Sequence, residues 1–264
     1  MKIWFLTGEF APDFGGGIGT YVENCAKMFA KAGDDVTVIV RSINGNKTEK
    51  AKEGYRIERF QQGEGENYQY LGYDNALAYQ YYEVIMRMID KYGKPDIIEM
   101  QEYNAYGQYI IQSKLMLNEK LKDIPLVVHL HTPSFETLKI NQFNTYELPF
   151  YWIGEMEKFC IKGADALVCP SQFLADKLQY LVDEKIKVIN LPFDIDKEEL
   201  EKYEKEGIQK PDKKTILYFG RTEYRKGVVQ MLKGAEKLWK KGLDFKVKII
   251  GGDTILESKG TYVG

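Results

Sequence analysis

Thiols, histidines and long apolar runs are all scarce in this 264-residue chain. Its three cysteines, Cys25, Cys160 and Cys169, are odd in number and form no CxxC pair, so neither a disulfide framework nor a zinc site is suggested. They read as the reduced core thiols of a cytoplasmic protein. No apolar segment approaches the ~18 residues of a membrane span. The run Ile3-Trp4-Phe5-Leu6, after one lysine, is too short for the apolar region of a signal peptide. Any membrane contact is therefore expected to be peripheral at most. An excess of one charge is lacking too: 37 Lys and Arg against 39 Asp and Glu leave a formal charge of −2, which argues against a nucleic acid partner.

What remains is an ordinary composition, 44% hydrophobic and 29% charged, with enough apolar residues to bury a core. The length suits one large domain or one and a half. The most informative stretch is Thr7 to Tyr21, TGEFAPDFGGGIGTY. It follows the apolar run and precedes Ile18, Tyr21, Val22, Cys25, Met28 and Phe29, whose spacing makes one stripe of a helix. Three glycines between strand and helix are expected to take positive φ and bring the backbone close to a ligand, with unpaired helix N–H groups facing the same space. The dinucleotide pattern fails, because position 20 is Thr20 and the second strand ends in Arg41 rather than an acid. The phosphate loop of nucleotide triphosphatases fails for want of Gly-Lys-Ser/Thr.

Apolar runs and helical stripes then alternate. Strands are predicted at 35–40, 54–60 (an exposed or edge strand), 97–100, 125–131, 166–169 and 188–192. Helices are predicted at 74–92, 106–121, 147–162 and after Ser171, a candidate N-cap. This rhythm implies a Rossmann-like, doubly wound, mainly parallel sheet. The charged run 196–206 reads as a solvated helix. We divide the chain into an N-terminal domain over 1–206, a linker over 207–214, and the incomplete start of a second Rossmann-like domain over 215–264. In that last part a strand (216–219), the turn Gly220-Arg221-Thr222-Glu223-Tyr224-Arg225-Lys226-Gly227, a helix and another strand (245–250) succeed one another.

Ligands of parallel sheets gather outside the carboxyl ends of the strands. Four features fall there: Gly15 to Gly17, Gln101-Glu102-Tyr103, His129-Leu130-His131, and Arg221 with Arg225-Lys226. The two histidines, two residues apart on one strand, share a face. His129 also suits a hydrogen-bonded core position. A metal pair lacks a third ligand. Arg221 and Lys226, on a turn leading into a helix, can converge on an anion such as a diphosphate, although surface charge would look the same. The tyrosines between Tyr68 and Tyr82 can stack on sugar rings or simply belong to a helix.

Taken together, the opening TGEFAPDFGGGIGTYVENCAKMFAKAGDDVTVIV, PDIIEMQEY, the HLH run, ADALVCPSQF and ILYFGRTEYRKGV resemble the signatures of nucleotide-sugar-dependent retaining glycosyltransferases of the GT-B fold, of the family 4 type. The resemblance covers nearly the whole chain. It implies two Rossmann-like domains, the first for the acceptor and the second for the sugar nucleotide. It also implies sugar transfer from a nucleoside diphosphate sugar to a hydroxyl acceptor (a sugar, glycan or lipid-linked group), with retention and without a metal or other cofactor. By the same resemblance Arg221 and Lys226 neutralise the donor diphosphate, Gly16 and Gly17 lie against phosphates or the transferred sugar, His131 lies close to the reacting sugar, and Glu102 and Tyr103 border the acceptor. The glutamates that in relatives hold the sugar and the ribose fall beyond Gly264, so these 264 residues alone are expected to show little or no transferase activity. The alternative is a carbohydrate- or nucleotide-binding module that transfers nothing.

Overall fold

The computed structural model describes residues 1–63, 70–193, 197–207, 214–252, 255–256 and 261–262. By internal contacts the chain forms two compact units, Met1–Ser134 with Leu148–Asp194, and Phe135–Glu147 with Ile195–Gly264. Most of the expected linker lies outside the described residues.

In the first unit the apolar runs become a sheet. In chain order its elements are β1 (Lys2–Thr7), α1 (Gly17–Lys31), β2 (Asp35–Ser42), β3 (Lys47–Lys50), β4 (Arg56–Gln61), α2 (Tyr73–Tyr92), β5 (Ile97–Gln101), α3 (Gln108–Leu115) and β6 (Leu126–His129). Then come α4 (Ser134–Ile140), α5 (Phe150–Gly163), β7 (Ala166–Cys169), α6 (Gln172–Leu178) and β8 (Lys187–Val188). From Phe135 onward α4 belongs to the second unit. The strand order is β3-β4-β2-β1-β5-β6-β7-β8, parallel throughout except for β3, which runs antiparallel to β4. The order therefore reverses between β1 and β5, and the crevice of a doubly wound sheet opens at such a reversal.

Burial explains why these residues make strands. Trp4, Phe5 and Leu6 of β1 and Val38, Ile39 and Val40 of β2 are at most 1% exposed, the continuous run of a parallel strand covered on both faces. Ile3 and Phe5 pack with Tyr21, Val22, Cys25 and Ala26 of α1, while strand alternation turns Trp4 and Leu6 to the other face. Each such side chain contributes roughly 1.5–3 kcal/mol by leaving water.

The second unit contains α7 (Lys197–Glu206), β9 (Thr215–Phe219), α8 (Val228–Lys240), β10 (Lys246–Ile250), β11 (Ile255–Leu256) and β12 (Thr261–Tyr262). β9 and β10 pair in parallel, β11 and β12 antiparallel. Among the described residues no helix is long and apolar enough to cross a membrane.

Four elements differ from the sequence expectation. The polar stretch after Ser42 holds β3, so β4 is flanked by β2 and β3 and is not the edge. The helix expected to reach residue 121 ends at Leu115, because Leu117 adopts a left-handed φ of 60°. There Asn118 N–H bonds Ser113 O and Leu117 N–H bonds Lys114 O, a helix-ending motif usually built on glycine. Residues 134–140 form α4, for which no helix was expected, and the last strand of the sheet is only Lys187–Val188 rather than 188–192.

Ile98 sits on β5 between β1 and β6 and is fully buried. Ile98→Ala is expected to lower unfolding free energy by about 2–5 kcal/mol. Ile43→Ala, at a position 63% exposed, is expected to change it by less than about 0.5 kcal/mol. Equal denaturant midpoints for the two variants would contradict this placement of the core.

Candidate functional site

Three turns at the carboxyl ends of β1, β5 and β6 carry the first unit's candidate residues. The turn after β1 is pinned from below: Gln101 Oε1 accepts from Thr7 Oγ1 (3.0 Å) and Gly8 N–H (3.1 Å), and Thr7 O accepts from Tyr81 OH (2.7 Å). Gly8 is required there, since a Cβ would fall 2.1 Å from the Tyr106 ring. Farther along, Arg59 of β4 lies 3.6 Å from Asp13 and 2.9 Å from Glu49. Hydrogen bonding from Ser42 and Asn44, with the Arg59 charge, holds Asp13 below the usual carboxylate range despite its burial. Arg41 is drawn inward, over the Phe14 ring at 4.2 Å.

Gly15, Gly16 and Gly17 are exposed, as an anion loop requires. Their conformation differs from expectation: none is left-handed, and Gly16, the residue before α1, is extended at φ 168° and ψ 176°. What Gly16 provides is room. A Cβ there would lie 1.9 Å from Glu9 Oε2, and the same oxygen accepts from Gly19 N–H at 3.5 Å. The anion at the N-terminus of α1 is thus the chain's own carboxylate.

His129 closes β6 and His131 lies two residues on, just outside the strand. Their rings stay together, with His129 Nδ1 and His131 Nε2 3.1 Å apart, so one nitrogen donates and the other accepts. Tyr21 of α1 stacks on His129 at 4.2 Å between centroids and meets His131 edge-on at 5.0 Å. The Tyr21 hydroxyl donates to Glu99 Oε1 at 2.6 Å. Phe5, Ile18, Tyr21, Glu99, His129 and His131 line a cavity of about 10 Å³, space for about one water. A larger hollow of about 530 Å³ lies at the amino end of β7, the wrong end of the sheet for a doubly wound fold. Burial pushes His129 down to about 4 and, together with its neighbour's charge, His131 down to about 3. Both rings are neutral at physiological pH. Among the described residues no third ligand joins them as a metal site.

Glu102 is fully buried. Rather than facing a cleft, its carboxylate accepts the N–H of His131 at 2.8 and 2.9 Å and that of Thr132 at 2.8 Å. Burial first, and then the charge of Glu157, push it up to about 8 despite those bonds. Tyr103 is half-buried beside it, its carbonyl accepting from Gln101 Nε2.

In the second unit the turn after β9 carries Arg221 and Lys226, both exposed. Gly220 lies at φ 144°, and a Cβ on Gly251 would meet its carbonyl at 1.9 Å, so the ends of β9 and β10 touch through bare backbone. Glu223, 8% exposed, bridges Arg221 Nε (2.8 Å) and Arg225 Nε (2.6 Å). Arg225 N–H donates to Asn141 Oδ1, and Gly227 at φ 76° leads into α8. Arg225 is therefore committed to the turn, while Lys226 points to solvent. Glu9, Tyr21, Glu99, Glu157 and Glu223 were not foreseen as parts of these sites; the signal for Glu157 was a carboxylate on the buried stripe of α5, four residues from both Ile153 and Ile161.

The sequence model for Glycosyltransferase Family 4 matches residues 15–197. No curated protein matches the chain. Among solved structures, the fold is similar to the catalytic domain of starch synthase IV from Arabidopsis thaliana, bound to ADP and acarbose, with a TM-score of 0.60 at 13% identity over 95% of this chain and 68% of that one. It is similar to sucrose-phosphate synthase from Thermosynechococcus elongatus, with a TM-score of 0.68 at 19% identity over 98% and 64%. An alpha-glucosyltransferase in complex with UDP gives 0.51 at 17% identity over 96% and 58%. The chain thus spans about two thirds or less of these proteins' length, and at such identities the likeness is one of GT-B architecture.

The buried cluster predicts how stability follows pH. Burial pushes Glu99 up to about 7 and Glu102 to about 8 from an ordinary 4.5. The folded chain therefore keeps protons that the unfolded chain releases, and stability falls as pH rises through those values. The histidines, lowered from 6.5, act oppositely, losing stability as pH falls through about 4 and 3. The Tyr21, Cys25, Cys160 and Cys169 groups facing them are all pushed up and stay protonated in this range. Denaturation midpoints are expected to be highest between pH 4.5 and 6.5 and to fall on both sides, with Glu99→Gln and Glu102→Gln flattening the alkaline limb. A midpoint climbing steadily from pH 6.5 to 8 would count against these assignments.

Proposed function

Because the chain belongs to Glycosyltransferase Family 4, we propose that it serves the transfer of a hexosyl group from a nucleoside diphosphate sugar to a hydroxyl acceptor, with retention of configuration. The observation that carries this reading is the seating of a neutral His131 beyond the carboxyl end of β6, one strand from the reversal between β1 and β5. A neutral imidazole binds a sugar hydroxyl without adding positive charge beside a developing oxocarbenium ion. With Nε2 occupied by His129, Nδ1 is the nitrogen left for that bond.

Retention without a covalent intermediate fits the surrounding carboxylates. The half-buried Glu99 takes the Tyr21 hydroxyl, and the buried Glu102 and Glu157 take main-chain amides, so these three acids are committed elsewhere. The acceptor hydroxyl then attacks on the face from which the diphosphate departs. Its proton passes to a departing phosphate oxygen, and catalysis rests on positioning and on charge stabilisation of the leaving group. Arg221 and Lys226 supply positive charge for the diphosphate, so no metal is required on this reading. Gly16 and Gly17 offer main-chain contact to a phosphate or sugar, and Tyr103 borders the acceptor.

By this reading 1–206, apart from residues 135–147 and 197–206, which group with the second unit, is the acceptor domain, and 215–264 belongs to the sugar-nucleotide domain. A cytoplasmic location accords with three free, buried cysteines. The exposed Tyr70 and Tyr73 at the start of α2 favour, as a second reading, a module that binds carbohydrate without transferring it.

The test is thermal denaturation of the 264-residue chain with UDP, ADP and GDP. One of them is expected to raise the midpoint saturably, by the equivalent of about 2.7 kcal/mol at a hundred times its dissociation constant, and Arg221→Ala is expected to abolish the shift. No shift with any nucleoside diphosphate, or one that survives Arg221→Ala, would speak against the assignment.

A further inference from the structure

The last main-chain bond joining β6 to β7 is Leu130 N–H to Val168 O at 2.7 Å. The next four residues, His131, Thr132, Pro133 and Ser134, have three N–H groups among them, since proline has none. All three end on two buried carboxylates: His131 and Thr132 on Glu102, and Ser134 on Glu157 Oε1 at 2.9 Å. Glu157 Oε1 also takes Asn104 N–H from the neighbouring turn at 2.9 Å. Both acids are 0% exposed. Two of the four donors lie in backbone that non-glycine residues seldom adopt, Asn104 at φ 60° and Thr132 at φ 109°. Such conformations persist only where the surroundings over-determine them.

The geometry points to Glu102 and Glu157 as paired positioning residues that clamp the turn after β6 and thereby fix the ring of His131. A buried carboxylate is costly, and two close together more so. Main-chain N–H groups converging on them offset that cost and are themselves satisfied. The pair ties two separate turns, those after β5 and β6, into one rigid body. Neither acid touches the substrate in this scheme. Glu102 holds the backbone of His131 directly, and Glu157 holds the far end of the same turn and the start of the adjacent one. The catalytic consequence rests on the reading of His131 given above, but the clamp itself does not.

The test is amide hydrogen exchange by NMR on the 264-residue chain. In the unsubstituted protein the amides of His131, Thr132 and Ser134 are expected to be protected to within about tenfold of Val128 in β6, although they lie outside the sheet; rapid exchange at all three overturns the clamp without any variant being needed. Glu102→Gln, which places an amide donor against donors, is expected to speed exchange at His131 and Thr132 by about ten- to a hundredfold, with Val128 unchanged. Glu157→Met, which removes the single oxygen that accepts both N–H groups, is expected to do the same at Asn104 and Ser134. The His131 ring should also protonate at higher pH in Glu102→Gln, as it gains access to water, a change that a purely structural acid elsewhere in the core would not produce. Unaltered amides and ring titration in both variants overturn the proposal. If no nucleoside diphosphate raises the denaturation midpoint while the amides respond as described, the functional reading fails and the clamp stands.

Discussion

Beyond Leu130 the chain leaves the sheet but not the interior, and a main-chain N–H with neither strand partner nor water must find an acceptor. Everything that distinguishes the first unit's site follows from how that need is met. Carboxylates from the end of β5 and the middle of α5 enter the turn, accept its donors and are themselves kept from solvent. The cost of burying charge is visible in Glu102, whose carboxyl is raised to about 8 even with three contacts to amides. The same dry surroundings leave the two imidazoles uncharged and stack Tyr21 against them.

Much of the architecture was legible because burial writes itself into strands. Trp4 to Leu6 and Val38 to Val40 are apolar for the plain reason that both faces of a central parallel strand are covered. Elements at the rim carried no such mark. β3 consists of Lys-Thr-Glu-Lys, three of its four residues exposed, and exists through its pairing with β4 rather than through any apolar preference. The early end of α3 turned on Leu117 accepting a left-handed φ, which no composition rule favours.

The site was half legible in the same sense. Position at a strand end singled out His131, Glu102 and the glycines as candidates, since topology alone sends those ends to one side. Direction was not available. Glu102 has the residue type expected beside a polar ligand, yet its side chain turns to the backbone, and only the main-chain demand of the following turn explains that choice. In the second unit, likewise, the cations were readable, but the exposed-looking Glu223 between them is buried and ties Arg225 to the turn.

The carboxylate of Glu9 over the start of α1 has a consequence for any phosphate that approaches there. That end of the helix is already let to a tenant of the same sign. Docking at Gly16 is therefore an exchange of one anion for another, in which Glu9 must rotate outward into water. The helix contributes only the difference between its hold on the two, and the net charge of that corner barely alters. Selectivity there falls to the shape and oxygen count of the incoming group, since attraction for negative charge in general is already spent on the residue in place.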